Sequence, residues 1–182
     1  PYTTLFRSRT LGTIEVPVTL TGAAVNGMSM TVVYDETRLT LTGVSDGWTL
    51  SGSTVSTASA VSAGTAVTLT FTVATDEGNF VNPGDAAISI GETTAQGADG
   101  ALTVGQTAGK VVITKAGDIN GDGKVNAADL MQLQRYIAAR GRGVPVVTGS
   151  TNVNNDSKAA NAADMMLLQR YIASRGKGVV IY

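Results

Sequence analysis

One segment constrains this chain more than any other: DINGDGKVNAAD, residues 118–129, which carries oxygen-bearing side chains at alternate positions. Gly123 at position 6 permits a sharp turn, so that alternate side chains can converge on one point. Oxygen donors with this spacing are typical of a calcium loop of the EF-hand kind, here closed by Asp at position 12. The predicted ligands are Asp118, Asn120, Asp122, Lys124 through its carbonyl, Asn126 and Asp129.

The loop and the segment after it occur twice. AADLMQLQRYIAARGRGV, residues 127–144, and AADMMLLQRYIASRGKGV, residues 162–179, differ at four positions and keep a constant offset of 35 residues (127 against 162). Apolar residues recur at helical spacing in both copies. We therefore predict two loop–helix repeats, 118–141 and 152–176, with Gly141 and Gly176 as helix C-caps. Neither helix can bury its apolar stripe alone, so we expect the two to pack together.

The second loop departs from the first. It runs from Asn152 to Asp164, thirteen residues, which is one too many. Its first position is uncharged, and Ser157 replaces the central glycine. It holds two carboxylates where the first loop holds three, so we expect weaker calcium binding. The candidate ligands are Asn152, Asn154, Asp156, Lys158 and Asp164.

Residues from Thr10 to about Lys115 show a different period. TIEVPVTL, GMSMTVVYD and VTLTFTV alternate apolar and polar residues, and turn dipeptides such as Asn26-Gly27 and Pro83-Gly84 separate such runs. Alternation of this kind indicates strands with one buried and one solvated face. We predict a β-sandwich of seven to nine strands, in which Pro17 marks an edge strand.

The composition excludes several classes of site and partner. The chain has no cysteine and no histidine, so a metal site must be built from oxygens. Charged residues make up 15% and the net charge is −1, which argues against a nucleic-acid partner. No apolar run approaches the ~20 residues of a membrane span. PYTTLFRS, residues 1–8, resembles the in-frame translation of a sequencing-library adapter and is set aside, so that the natural chain is expected to continue upstream of Arg9.

The string GDINGDGKVNAADLMQLQRYIA with its repeat NAADMMLLQRYIA resembles the type I dockerin family. The resemblance covers residues 116–182 and implies a small α-helical module that folds on calcium and binds a cohesin domain. The two loops described above would supply one strong and one weaker calcium site. Loop positions 10 and 11 and the middle of the helix would contact that partner. In this sequence they are Ala127, Ala128, Gln134 and Arg135, with Ala162, Ala163, Gln169 and Arg170 in the second repeat.

The segment GMSMTVVYDETRLTLTGVSDG, residues 27–47, resembles cohesins. This resemblance covers residues 9–115 and implies a jelly-roll or immunoglobulin-like sandwich. The fold class predicted for the whole chain is therefore multidomain, an all-β sandwich followed by two half EF-hand repeats.

The two resemblances imply a secreted or cell-surface assembly module without catalytic activity. Its partner would be the cohesin of a scaffold protein or of another copy of this chain. Two alternatives remain open. The chain could be part of a dockerin-bearing glycoside hydrolase, for which Asp35, Glu36, Asp76, Glu77, Asp85 and Glu92 would be candidate carboxylates. The sandwich could instead be a spacer or a glycan-binding module, with Trp48 as the only tryptophan.

Overall fold

A computed structural model of the chain describes residues 5–6, 13–76, 79–80, 83–147, 149–156 and 158–181. These residues fall into two compact units. The first, called the sandwich unit, contains residues 13–73 and 85–111. The second, called the helical unit, contains the described part of 112–181 together with a short hairpin from 74–84.

Two β-sheets form most of the sandwich unit. The larger contains β1 (Leu5–Phe6), β3 (Met28–Tyr34), β5 (Thr49–Ser51), β6 (Thr54–Thr57), β10 (Gly84–Gly97), β11 (Gly100–Leu102) and β12 (Gly109–Ile113), and the smaller contains β2 (Thr13–Leu20), β4 (Leu39–Val44) and β7 (Gly64–Val73). The larger has the order β1-β12-β10-β3-β6-β5, with β11 paired to β10, and the smaller has the order β2-β7-β4. The predicted sandwich is thereby confirmed, and β2, which contains Pro17, lies at an edge of its sheet as expected.

The core of the sandwich follows the alternation seen in the sequence. Every second residue of β7 from Val67 to Val73 is buried, and the threonines between them are more exposed. Tyr34 of the larger sheet meets Phe71 of the smaller edge to face, with ring centroids 5.2 Å apart. This contact gives Tyr34 the half-buried core position that its place in the alternating pattern predicts.

The described residues contain twelve strands, more than the seven to nine expected. The additional strands are short, and the remaining two, β8 (Thr75–Asp76) and β9 (Asn79–Phe80), pair only with each other. Strands of two or three residues are too short to show an alternating pattern. The 14-residue β10 does not alternate throughout, because its register shifts between Ile90 and Thr93 and the alternation changes phase there.

The helical unit is built around α1 (Ala127–Ala138) and α2 (Ala162–Ser174). The two helices contact each other and share one apolar cluster. Its fully buried members are Ala116, Ile119, Leu133, Val153, Leu168 and Ile181. Each repeat contributes its second loop residue and one helix leucine, so both loops are anchored in the same core. No helix among the described residues combines the length and apolarity that a bilayer crossing requires.

Candidate functional site

Asp118 begins the first loop and binds the loop backbone with both carboxylate oxygens. Its Oδ1 accepts from the Gly121 N–H at 2.9 Å and its Oδ2 from the Gly123 N–H at 2.9 Å. Gly121 and Gly123 have φ of 80° and 81°, the left-handed region that favours glycine. The two glycines therefore let the chain fold around this carboxylate, which is 6% exposed.

Asp129 closes the loop from the first turn of α1 and is fully buried. Its Oδ1 accepts from the N–H groups of Ile119 at 2.8 Å and Asn120 at 3.2 Å. Its Oδ2 accepts from the Asn126 N–H at 2.8 Å, while the Asn126 side chain accepts from the Ala128 N–H at 2.8 Å. Asp129 is thus both the predicted position-12 ligand and one half of a capping box that starts the helix.

The remaining ligand positions of the first loop are held by side-chain-to-backbone hydrogen bonds. Asn120 Oδ1 accepts from the Asp122 N–H, and Asp122 Oδ1 accepts from the Lys124 N–H, each at 2.9 Å. These successive turns put the side chains of Asn120 and Asp122 on the exposed surface of the loop, within 3.3 Å of each other. Lys124 is also exposed, which suits a residue predicted to act through its carbonyl.

Burial raises the pKa of the Asp118 carboxyl above its ordinary value, and the charges of Asp129 and Asp122 raise it further. Hydrogen bonds from the Gly123 and Gly121 amides oppose this effect but do not cancel it. The first loop therefore gathers negative charge in a place where water does not fully screen it. A bound cation would relieve both the burial cost and the repulsion.

In the second loop, Asp164 accepts hydrogen bonds from backbone amides as Asp129 does in the first loop. This carboxylate is fully buried; its Oδ2 accepts from the Asn161 N–H at 2.8 Å and its Oδ1 from the Asn154 N–H at 3.3 Å. Asn161 and Asp164 form the same capping box that begins α1. Ser157, at the position of the central glycine, lies outside the described residues.

The extra residue of the second loop lies between Lys158 and Asn161. Asp156 Oδ1 accepts from the Lys158 N–H at 2.9 Å, the same bond that joins Asp122 to Lys124, so the two loops agree up to position 7. Two residues, Ala159 and Ala160, then precede the helix cap where the first loop has only Val125. The insertion therefore shifts the helix by one residue without moving Asp164 from its capping role.

The donor set in both loops fits a hard cation that prefers oxygen. Carboxylates, amide oxygens and loop carbonyls are the groups that calcium binds in proteins, and no nitrogen or sulfur ligand is offered. Among the described residues no three acidic side chains gather into one cluster that could hold a metal by themselves. Amides and carbonyls would have to complete either site. When bound, calcium would supply charge that holds the converging oxygens of the loop together.

The predicted partner-binding residues lie together on the exposed side of each helix. Ala127, Ala128, Gln134 and Arg135 are all exposed, as are Ala162, Ala163, Gln169 and Arg170. The sequence analysis missed Met131 and Met166, which lie between them and are 54% and 62% exposed. The signal was available, because both methionines stand four residues after the first alanine, on the face opposite the buried leucines. Each helix thus presents one surface of alanine, methionine, glutamine and arginine.

The sandwich unit offers little to the alternative functions. The Trp48 side chain is half-buried and its indole N–H donates to the Ala66 carbonyl at 3.0 Å, so it anchors a turn. Asp35 bonds Thr37 and Arg38, and the Thr37 hydroxyl and Arg38 guanidinium lower its pKa. Asp85 pairs with Lys110 at 2.5 Å.

Glu36 and Glu92 are exposed, while Glu77 and the side chain of Asp76 lie outside the described residues. The candidate carboxylates that the structure describes are therefore surface groups. Two of them, Asp35 and Asp85, form ion pairs with the side chains of Arg38 and Lys110.

A duplicated loop and helix, with a capping carboxylate at the end of each loop and no helix before the first loop in the part of the chain that the structure describes, defines a tandem half EF-hand module. Residues 116–174 match the family model of the dockerin type I domain, so this segment is a dockerin type I domain as predicted. Such domains bind calcium.

Comparison with curated proteins finds no match to the chain. Similar solved structures include a cohesin of scaffoldin B from Acetivibrio cellulolyticus in complex with a Cel5 dockerin, with 18% identity, 59% of this chain and 93% of that chain covered, and a TM-score of 0.46. A non-cellulosomal cohesin from Archaeoglobus fulgidus is also similar, with 16% identity, 59% of this chain and 85% of that chain covered, and a TM-score of 0.46. The cohesin CaCohA2 from Clostridium acetobutylicum has 16% identity, 60% of this chain and 86% of that chain covered, and a TM-score of 0.44.

Proposed function

We propose that this chain is an extracellular, non-catalytic assembly module whose dockerin binds a cohesin in a calcium-dependent manner. The complex would serve polysaccharide degradation of the cellulosome kind. Residues 9–115 would be a cohesin-like domain and 116–182 the dockerin. The observation that carries the proposal is the pair of equivalent exposed helix surfaces on a module that matches the dockerin family.

Each surface has the features of a protein-binding site. Met131 or Met166 forms an apolar centre, the neighbouring alanines leave room for close approach, and Arg135 or Arg170 offers a planar group for hydrogen bonds. Methionine and arginine are enriched in interfaces over other surfaces. Because both repeats carry the same set, a partner could dock on either helix.

Binding to a panel of type I cohesins, measured by titration calorimetry in millimolar calcium, tests this proposal. The variants Arg135→Glu and Arg170→Glu reverse one charge on each surface. Either variant alone should leave affinity within about threefold, because the other helix still binds, while the double variant should lose about 100-fold. A double variant that binds like the parent, with an unchanged helical circular dichroism signal, would exclude these surfaces.

A second function, head-to-tail self-association, is supported by the distribution of charge. Residues 116–182 carry eight basic and five acidic side chains, a net charge of +3, while the whole chain has −1 and the preceding part therefore −4. All five acids of 116–182 are predicted calcium ligands, so calcium would make this part still more positive. Opposite charges on the two parts favour contact between the dockerin of one copy and the sandwich of another.

Analytical ultracentrifugation of the chain, in millimolar calcium and in chelator, tests self-association. Growth into large species only with calcium would support it, and raising the salt concentration should weaken it. A monomer under both conditions would mean that the cohesin partner is a different protein.

A further inference from the structure

We propose that Asn26, in the turn before β3, is a site of spontaneous modification in the folded chain, where its side-chain amide is converted into a carboxylate. The chain has two Asn-Gly pairs, Asn26-Gly27 in the sandwich unit and Asn120-Gly121 in the first loop. Asparagine is one of the thermolabile residues of proteins, and a glycine after it has no side chain to shield its nitrogen. The structure leaves the first pair free to react and restrains the second.

The reaction joins the Gly27 nitrogen to the side chain of Asn26. The nitrogen attacks Cγ, and ammonia leaves with the side-chain nitrogen and the proton that the Gly27 amide has lost. A five-membered imide ring remains. Water then opens this ring at either carbonyl and gives an aspartate or a β-linked isomer, whose main chain runs through the former side-chain carbons. The only reactant besides the chain is water, but the nitrogen and Cγ must be free to approach each other.

Both reacting groups of the first pair are unrestrained. The Asn26 side chain is exposed and makes no hydrogen bond to the residues that the structure describes. The Gly27 N–H likewise donates to no carbonyl of the described chain. Since water also reaches this turn, the reaction at Asn26 does not require the sandwich unit to unfold.

Hydrogen bonds hold both reacting groups of the second pair. The Gly121 N–H donates to Asp118 Oδ1 at 2.9 Å. The Asn120 side chain accepts from the Asp122 N–H at 2.9 Å and donates to Asp122 Oδ2 at 3.3 Å. The nitrogen and the amide are thus directed at different partners, so the loop must open before they can react. We expect these bonds to slow the reaction at Asn120 by at least about tenfold.

The position of Asn26 determines what the modification does to the fold. On one side of the turn, Val25 exchanges backbone hydrogen bonds with Val61, at 2.9 and 2.8 Å. On the other side, the Asn26 N–H donates to the Gln96 carbonyl at 2.6 Å, and the Gln96 N–H donates to the Gly27 carbonyl at 3.1 Å. The β-linked isomer adds one main-chain atom between these anchors, so it cannot keep both without strain. It should therefore destabilise the sandwich unit.

Peptide mapping of the full chain by mass spectrometry tests the two rates. Trypsin releases residues 10–38 and 116–124 as separate peptides, each with one asparagine and no glutamine. In millimolar calcium at mildly alkaline pH, residues 10–38 should be modified at least about tenfold faster than residues 116–124. In concentrated urea the two rates should be similar, because both asparagines precede glycine.

Asn26→Gln is the matched control for the rates, since the ring that it would form has six members and closes much more slowly. It should abolish the modification of residues 10–38 and leave residues 116–124 unchanged. Equal rates for the two peptides in the folded chain would overturn the proposal. So would a rate for residues 10–38 that rises sharply on unfolding, because the fold would then protect Asn26.

Urea unfolding of the aged chain gives a second readout. The β-linked isomer should lower the unfolding midpoint of the sandwich unit, followed by Trp48 fluorescence, and leave the helical circular dichroism transition unchanged. Asn26→Asp carries the charge of the product without the extra main-chain atom, so it should unfold like the parent. An isomer-containing fraction that unfolds like Asn26→Asp would contradict the effect expected from the added atom.

Discussion

The two loops of the helical unit are alike where they meet their helices and differ where they begin. Asn126 with Asp129, and Asn161 with Asp164, form the same capping box on fully buried carboxylates. At position 1, however, the first loop has a carboxylate bound by two glycine amides, and the second has an asparagine whose oxygen has no partner among the described residues. We therefore expect the fold to depend on the helix-proximal end of each loop, and the distal end to set the affinity for a cation.

Removing the closing carboxylate should have the largest effect, and it should be larger in the first loop. Asp129→Ala leaves three backbone N–H groups without their charged acceptor, whereas Asp164→Ala leaves two. In calcium, Asp129→Ala should lower the free energy of unfolding of the helical unit by about 3 kcal/mol or more, and Asp164→Ala should lower it by about 2 kcal/mol. Thermal unfolding followed by circular dichroism at 222 nm measures this, since α1 and α2 are the only helices in the described part of the chain.

Tryptophan fluorescence supplies the internal control for this pair. Trp48 is the only tryptophan and belongs to the sandwich unit, so its signal reports that unit alone. Its transition should be unchanged in both variants. Equal losses for Asp129→Ala and Asp164→Ala would contradict the asymmetry between the loops, and a shifted tryptophan transition would contradict independent unfolding of the two units.

The sequence predicted the parts of this comparison that depend on local pattern. Alternation in β2 and β7 indicated their buried faces, and the periodicity after Ala127 and Ala162 indicated both helices. The spacing of Asp156 and Lys158 in the sequence is that of Asp122 and Lys124, and the Asp156–Lys158 hydrogen bond agrees with an insertion after position 7. The role of Asp129 as a helix cap, in addition to its predicted role as a ligand, was missed, because its hydrogen bonds from the Ile119, Asn120 and Asn126 amides depend on the folded path of the loop.

The helix ends show another limit of sequence reasoning. The pattern predicts Gly141 and Gly176 as C-caps, but in each repeat the arginine before the glycine is already left-handed, with φ of 52° for Arg140 and 54° for Arg175. The glycine follows at positive φ and donates its N–H to the carbonyl five residues earlier. Glycine is the residue expected at the first left-handed position, so the pattern placed both caps too late, and the C-cap residues are Ala139 and Arg175.

A smaller effect should follow from changing the residue just before each loop. Gly117 precedes Asp118 with a φ of 79°, and a Cβ there would lie 2.8 Å from Ile181 Cδ1 and 3.0 Å from Leu168 Cδ1. Gly117→Ala should therefore lower the free energy of unfolding by about 2 kcal/mol, from backbone strain and crowding of the core.

Thr151 is its counterpart before the second loop and is half-buried. Thr151→Ala should cost less than about 1 kcal/mol. Urea unfolding of both variants in calcium measures the difference, and equal costs would show that the residues preceding the two loops are constrained alike.

The smallest effect, and the one that should not differ between repeats, concerns the left-handed arginines. Replacing Arg140 or Arg175 by glycine removes the contact between Cβ and carbonyl that makes this conformation costly, and this should relieve a strain of about 1 kcal/mol. Part of the gain is offset, because glycine has greater conformational freedom in the unfolded chain. We expect a net stabilisation of about 0.5 kcal/mol for each variant, measured as a rise in the thermal midpoint in saturating calcium. Gly141→Ala is the matched control and should destabilise, because a Cβ there would lie 3.2 Å from Tyr136 Oη at a φ of 75°. If Arg140→Gly and Arg175→Gly differed clearly from each other, the asymmetry between the repeats would extend beyond the loops into the helix ends.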